Sequence, residues 1–260
     1  YQMGMLKMRQ RQIGEAQSYF EQAASKNRKL VDVFIQIINT LILQKKFDQG
    51  LERCRAQLDI YKAHPRFQAV VHTVEARLYL LKKDNETAKK RLRMGIEKAP
   101  DYLQTYESLA KIFLMENKTD QAIRQYKQIL AKQPDHLGTI MILGTIHDSI
   151  QEYKKAEEYY LKALEMMFEK GMYPAIATHD KVLVEGAFRL IKKYGATPDQ
   201  YEFQMLYGVT PKLRRSIREQ GHRMRVYIPF GKEWFGYSTR RLKENPQISS
   251  HIIKALFYKG

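Results

Sequence analysis

One spacing constrains the chain more than any other feature. Ala16, Gly50, Ala88, Ala122 and Ala156 follow one another in steps of 34, 38, 34 and 34 residues. Twelve residues before each stands Gly4, Ile38, Ala76, Ala110 or Gly144, and four residues after each stands Phe20, Cys54, Leu92, Tyr126 or Tyr160. Self-similarity at such a period marks stacked supersecondary units that cannot bury their apolar faces alone. Small residues at one position and large ones a helical turn later predict two helices crossing closely, with the large side chain filling the next groove. Pro100 and Pro134 lie twelve residues after Ala88 and Ala122, where a proline ends one helix and opens the next unit. The turns "KKDNET" and "MENKTD" fall between the paired helices.

This pattern resembles the tetratricopeptide repeat (TPR), a helix-turn-helix unit. The resemblance covers residues 1–166 as five units, the second irregular at Ile38, Gly50 and Pro65. It implies a superhelix whose concave face takes a protein or peptide. The first unit lacks the opening of its first helix, so Tyr1 is expected to mark the start of a fragment.

Composition narrows the setting. The chain has 260 residues, is 44% hydrophobic and carries a formal charge of +17. It is too apolar to be disordered throughout, and its charge suits acidic partners, anionic membrane surfaces or nucleic acid. Aromatic residues recur at packing positions rather than among the basic ones, so nucleic-acid binding is not favoured. The single cysteine, Cys54, excludes an intramolecular disulfide and fits a reducing, cytoplasmic setting; at a repeat packing position it reads as a small buried hydrophobe. No apolar run is long enough to span a bilayer, and "YQMGMLKMRQ" is not a signal peptide. No zinc, Ser/His/Asp or glycine-rich phosphate motif occurs, and His147 takes an aromatic core position of a repeat.

After "EEYYLKALEM" the rhythm changes. "YPAIAT", "YEFQML" and "MRVYIP" read as strands, each followed by a helical pattern, which predicts parallel strands with right-handed helical crossovers. Thr210 and Pro211 form a helix start, Gly195 and Gly221 follow helix ends, and Pro246 closes the helix "KEWFGYSTRRLKENP". "QISSHIIKALFYK" reads as one more short helix. In parallel α/β folds, sites form at the carboxyl ends of strands. Thr178, His179, Asp180, Gln204 and Tyr227 occupy those ends here. In the last long helix, Tyr237, Arg240, Arg241 and Glu244 share one face, where two guanidiniums could grip a carboxylate; a solvated basic helix has the same spacing.

"YPAIATHD", "YEFQMLYGV", "RVYIPFGKEWFGY" and "YSTRRLKENP", in this order, resemble the last three strand and helix units of proline dehydrogenase, a flavin-dependent (βα)8 barrel. The resemblance implies that Tyr237, Arg240 and Arg241 bind the proline carboxylate, that Tyr227 and Leu206 pack around its ring, and that Glu244 pairs with the arginines. It also implies that Thr178, His179 and Gln204 touch FAD, and that the reaction is oxidation of L-proline to pyrroline-5-carboxylate. A full barrel needs about 250 residues, so residues 167–260 supply only part of one.

The expectation is a mainly α protein: a TPR-type superhelix over 1–166, then a partial (βα) barrel of about three parallel strands over 167–260. Its expected function is a protein-interaction scaffold carrying a proline dehydrogenase-like segment. The alternative is a non-enzymatic TPR binding module, and the abrupt change at 166/167 leaves a natural fusion, a fragment or a chimera open.

Overall fold

The computed structural model describes residues 1–228 and Gly236. The protein is mainly α and consists of two compact units, Tyr1–His136 and Leu137–Gly260.

The first unit is a run of eight helices: α1 (Gln2–Arg9), α2 (Ile13–Lys26), α3 (Val31–Leu43), α4 (Phe47–Ile60), α5 (Pro65–Leu81), α6 (Asn85–Lys98), α7 (Leu103–Met115) and α8 (Thr119–Lys132). They pack as the spacing predicts. Ala16, Ala76, Ala88, Ala110, Ala122, Phe20, Cys54 and Leu92 are wholly buried or nearly so. A β-carbon on Gly4 would stand 2.6 Å from Cε1 of Phe20, so the small residue makes the room the ring fills. Burial pushes the Cys54 thiol far above its ordinary range, and the nearby Glu75 carboxylate adds to the effect. The thiol is therefore a neutral packing group, as its place in the repeat implies.

The turn inside each helix pair has one form. Arg11, Lys45, Lys83 and Asn117 all take left-handed backbone angles, with φ of 60°, 57°, 63° and 57°. At each, the next residue donates its amide to a carbonyl five residues back: Gln12 to Lys7, Lys46 to Leu41, Asp84 to Tyr79 and Lys118 to Phe113. This is the Schellman turn, which satisfies carbonyls that a helix end leaves open. Between neighbouring repeats, polar contacts reach across about one period, as in Arg53 to Glu21 at 2.7 Å and Arg77 to Asn39 at 2.9 Å. Lys82 pairs with Asp48 in the same way.

The second unit contains α9 (Leu137–Ser149), α10 (Tyr153–Glu169), β1 (Ala175–Ala177), α11 (Lys181–Tyr194), β2 (Glu202–Leu206), α12 (Pro211–Glu219) and β3 (Met224–Tyr227). Here α9 and α10 repeat the helix-pair geometry, with Gln151 left-handed and Glu152 bonded back to His147. His147 is buried, as expected of a core position; its Nδ1 lies 2.6 Å from Glu152 and its ring stacks on Tyr159. The expected division at 166/167 falls inside α10, which runs unbroken through Met166 and Met167. Leu161 of α10 occupies the space beside Gly186 of α11, 2.5 Å from where a β-carbon there would sit. The fifth helix pair therefore stands in the same compact unit as the sheet.

The three strands form a parallel sheet in the order β1-β2-β3. Strand alternation gives it two unlike faces. Ile176, Phe203, Met205 and Met224 pack with Val184, Ala187 and Ile191 of α11 and Ile217 of α12 into one apolar core. Gly195 ends α11 with φ of 62° and Gly221 follows α12 with φ of 83°, both left-handed positions that favour glycine. Thr210 and Pro211 do start α12, but Thr210 makes no capping bond; its hydroxyl turns toward the Met205 sulfur at 3.9 Å. Of the helix expected over "KEWFGYSTRRLKENP", Gly236 alone is among the described residues and is helical; the helix expected over "QISSHIIKALFYK" lies outside them. Among the described residues, no helix is long and apolar enough to cross a membrane.

Candidate functional site

The second face of the sheet is polar. Ala175 pairs in register with Glu202, Ala177 with Gln204, Gln204 with Arg225, and Leu206 with Tyr227. Since one face takes every second residue, Ala175, Ala177, Glu202, Gln204, Leu206, Arg225 and Tyr227 all point to the side away from the apolar core. In a closed barrel this is the side that faces the lumen.

A hydrogen-bonded chain crosses that face. Arg225 donates from Nε to Glu202 Oε1 at 2.8 Å and from Nη2 to Oε2 at 3.1 Å, a two-toothed grip on the carboxylate. Gln204 Nε2 donates to Glu202 Oε1 at 2.7 Å, and the Tyr227 hydroxyl donates to Gln204 Oε1 at 3.0 Å. Glu202 is only 3% exposed, whereas Tyr227 is 47% exposed. The bonds from Gln204 and Arg225 hold the Glu202 carboxyl below its ordinary range, so it stays an anion.

Thr178 and His179 directly follow β1, and both are half-buried. Their position is fixed by the start of α11. Asp180 is the N-cap: its Oδ1 accepts from the amides of Val182 at 2.7 Å and Leu183 at 3.0 Å. The amide of Asp180 in turn donates to Thr178 Oγ1 at 3.1 Å.

The structure thus places five of the nine expected site residues. Gln204 and Tyr227 are in direct contact, Leu206 is the register partner of Tyr227, and Thr178 and His179 lead away from Ala177, the register partner of Gln204. Tyr237, Arg240, Arg241 and Glu244 lie outside the described residues. Glu202 and Arg225 were not singled out from the sequence, although a signal existed. Each stands two residues before an expected site residue in a strand, so alternation puts opposite charges on the site's own face.

Whether such a face suits a flavin can be judged from its donor set. Ala175 and Ala177 are exposed and leave room above β1 for a flat group. Gln204 retains one amide N–H beyond the bond to Glu202, and Thr178 adds a hydroxyl. Small residues beside hydrogen-bonding ones fit the polar edge of a planar heterocycle. Among the described residues no group of His, Cys, Asp and Glu could hold a metal ion.

The geometry defines a parallel strand-and-helix segment with one polar, lumen-like face, joined to a helical-repeat array. Residues 131–254 match the model of the proline dehydrogenase family. Proline dehydrogenase 2 of Bacillus subtilis (strain 168) is 38% identical over 108 residues, which cover 42% of this chain and 36% of that protein. Proline dehydrogenase of Deinococcus radiodurans is 33% identical over 109 residues, covering 42% of this chain and 33% of the relative. The chain thus spans about a third of the length of the curated relatives it matches. The family match begins ahead of Met167 and takes in α9 and α10. Among solved structures, MamA aligns over 64% of this chain and 95% of its own, with TM-score 0.48 and 16% identity. YrrB, a TPR protein with an unusual peptide-binding site, aligns over 72% of this chain and 88% of its own, with TM-score 0.41 and 13% identity.

Proposed function

We propose that the chain is a TPR-type interaction scaffold carrying the last strand-and-helix units of a proline-oxidising flavoprotein barrel. The observation that supports this best is the register that gathers Gln204, Leu206 and Tyr227 on one polar sheet face, with Thr178 and His179 at its rim. In this reading Thr178, His179 and Gln204 hold FAD, Tyr227 and Leu206 border the proline ring, and Tyr237, Arg240 and Arg241 grip the carboxylate, steadied by Glu244. FAD, when bound, supplies the acceptor for the hydride lost from the carbon beside the proline nitrogen. The protein orients the substrate, keeps water from it and fixes the charge of the groups around it.

Among the described residues, three strands leave two sheet edges and one face to be covered. The remaining strands come from another chain or another part of a longer protein, and the repeat array recruits a protein or peptide, acidic in view of the charge of +17. In this reading 166/167 divides two sequence patterns within one helix, and α10 serves both parts.

The purified protein tests this directly. A flavin absorption band, or a rise in melting temperature on adding FAD, with proline-dependent reduction of a dye, is the expected result. Colourless protein that FAD neither binds nor stabilises excludes the enzymatic reading for this chain and leaves the binding module.

A further inference from the structure

The chain Arg225, Glu202, Gln204, Tyr227 has a direction. A carboxylate accepts hydrogen bonds and cannot donate them, so the Gln204 amide must turn its NH2 group to Glu202. Its carbonyl oxygen then faces Tyr227, and the phenol has to donate. The hydroxyl proton of Tyr227 is thereby used within the sheet, and only lone pairs are left to face a ligand.

From this we infer that Glu202, gripped by Arg225, is a positioning residue that sets the hydrogen-bonding polarity of the ligand-facing surface, presenting Tyr227 as an acceptor and Gln204 as a donor. The inference rests on the reading of Gln204 and Tyr227 as ligand-facing residues given above. An ion pair serving stability alone would not need this arrangement. Glu202 is almost fully buried on a face where Ala175, Ala177 and Tyr227 are exposed, and its Oε1 accepts from Arg225 and Gln204 together. A flat ligand lying over Ala175 and Ala177 would place an acceptor atom against the second Gln204 N–H. The group beside the Tyr227 oxygen would be a donor or apolar.

Two variants of the full chain separate orientation from mere support. The double variant Glu202→Lys with Arg225→Met puts a donor-only ammonium where the carboxylate stood and leaves no carboxylate at the register partner of Gln204, so the Gln204 amide must reverse. The double variant Glu202→Met with Arg225→Met removes both charges and the acceptor together. The side-chain amide resonance of Gln204, identified by its loss in Gln204→Met, reads the result without any ligand. Both variants should shift the carboxylate-bonded amide proton upfield and speed its exchange with water at least about tenfold, the scale of losing one bond to a charged group. A Gln204 resonance that stays in place in either folded variant overturns the inference. FAD affinity, read by quenching of flavin fluorescence, should fall about tenfold further in Glu202→Lys with Arg225→Met, where the amide is reversed, than in the double methionine variant, where it is only released. Wild-type protein that fails to quench FAD counts against the flavin reading alone, and the amide resonance still decides the role of Glu202.

Discussion

The Tyr160 ring fills the space that a β-carbon on Gly144 would need, with Cε1 2.7 Å and Cδ1 2.9 Å from that position. A ring held between helices cannot fold away as the tip of a flexible chain can. Gly144→Ala should therefore destabilise the second unit by about 1–2 kcal/mol, overpacking outweighing the better helix propensity of alanine. Gly14, with no atom within 4 Å of the same construction, should respond in the opposite sense. Gly14→Ala is expected to stabilise the first unit by about 0.5 kcal/mol. Urea unfolding of the two variants checks the pair.

The left-handed turns give a second expectation. Lys45 and Lys83 hold conformations that disfavour a β-carbon by about 1–2 kcal/mol, and both are exposed. Glycine relieves that strain and gives back part of the gain through its freer unfolded chain. Lys45→Gly and Lys83→Gly should each raise stability by about 0.5 kcal/mol. Lys45→Ala and Lys83→Ala, which keep the β-carbon, should not.

Acid should affect the two units in different windows. In the first, Glu116 accepts from Lys118 and from the buried Lys89, which hold its pKa at about 2 against an ordinary 4.5. A carboxyl depressed in the folded state stabilises fully above its unfolded pKa, so this contribution is lost as pH falls from 4.5 to about 2. In the second, His222 stacks on Phe188 and its Nδ1 lies 2.7 Å from the Tyr201 hydroxyl; burial lowers its pKa from 6.5. A histidine depressed by burial favours the neutral form in the folded state, so its contribution is present above 6.5 and fades below it. Melting at stepwise lower pH should weaken the second unit first, and Glu116→Gln should flatten the later loss alone. A His222→Phe variant that softens at the same pH as the wild type would contradict the first half.

Asp180 links helix capping to the site. Asp180→Ala removes the bonds to the amides of Val182 and Leu183 and should cost about 1 kcal/mol. Asp180→Asn, which keeps a capping oxygen, should recover most of it. Because the Asp180 amide also bonds to Thr178, FAD binding should weaken in Asp180→Ala more than in Asp180→Asn, measured by flavin fluorescence.

Much of this was legible in the sequence because it is set by local chemistry. The periodic alanines and glycines marked helix crossings, since only a small side chain lets Phe20 or Tyr160 lie flat against the facing helix. "YEFQML" and "MRVYIP" marked β2 and β3 as short apolar runs each followed by a helical pattern, and the order of the strand-end residues followed from parallel topology. What escaped notice depends on distant partners. Glu202 looks like any strand glutamate until β3 brings Arg225 beside it. The repeat spacing ends at Met166 and Met167 while α10 continues through them, so the change of pattern falls within one helix. Thr210 looked like a capping residue, but its left-handed backbone turns the hydroxyl toward Met205 instead.

The turn that closes α10 has its own consequence. Gly171 is left-handed with φ of 64°, and Met172 bonds back to Met167, the corner that ends α1, α3, α5, α7 and α9. The passage from paired helices to strands therefore uses no new joint. Tyr173 and Pro174 follow the corner where the repeats would place another helix, and proline commits the residue before it to an extended backbone. The border between the two architectures is thus a dipeptide, Tyr173-Pro174, set behind a corner that every helix pair already carries, rather than a hinge of its own.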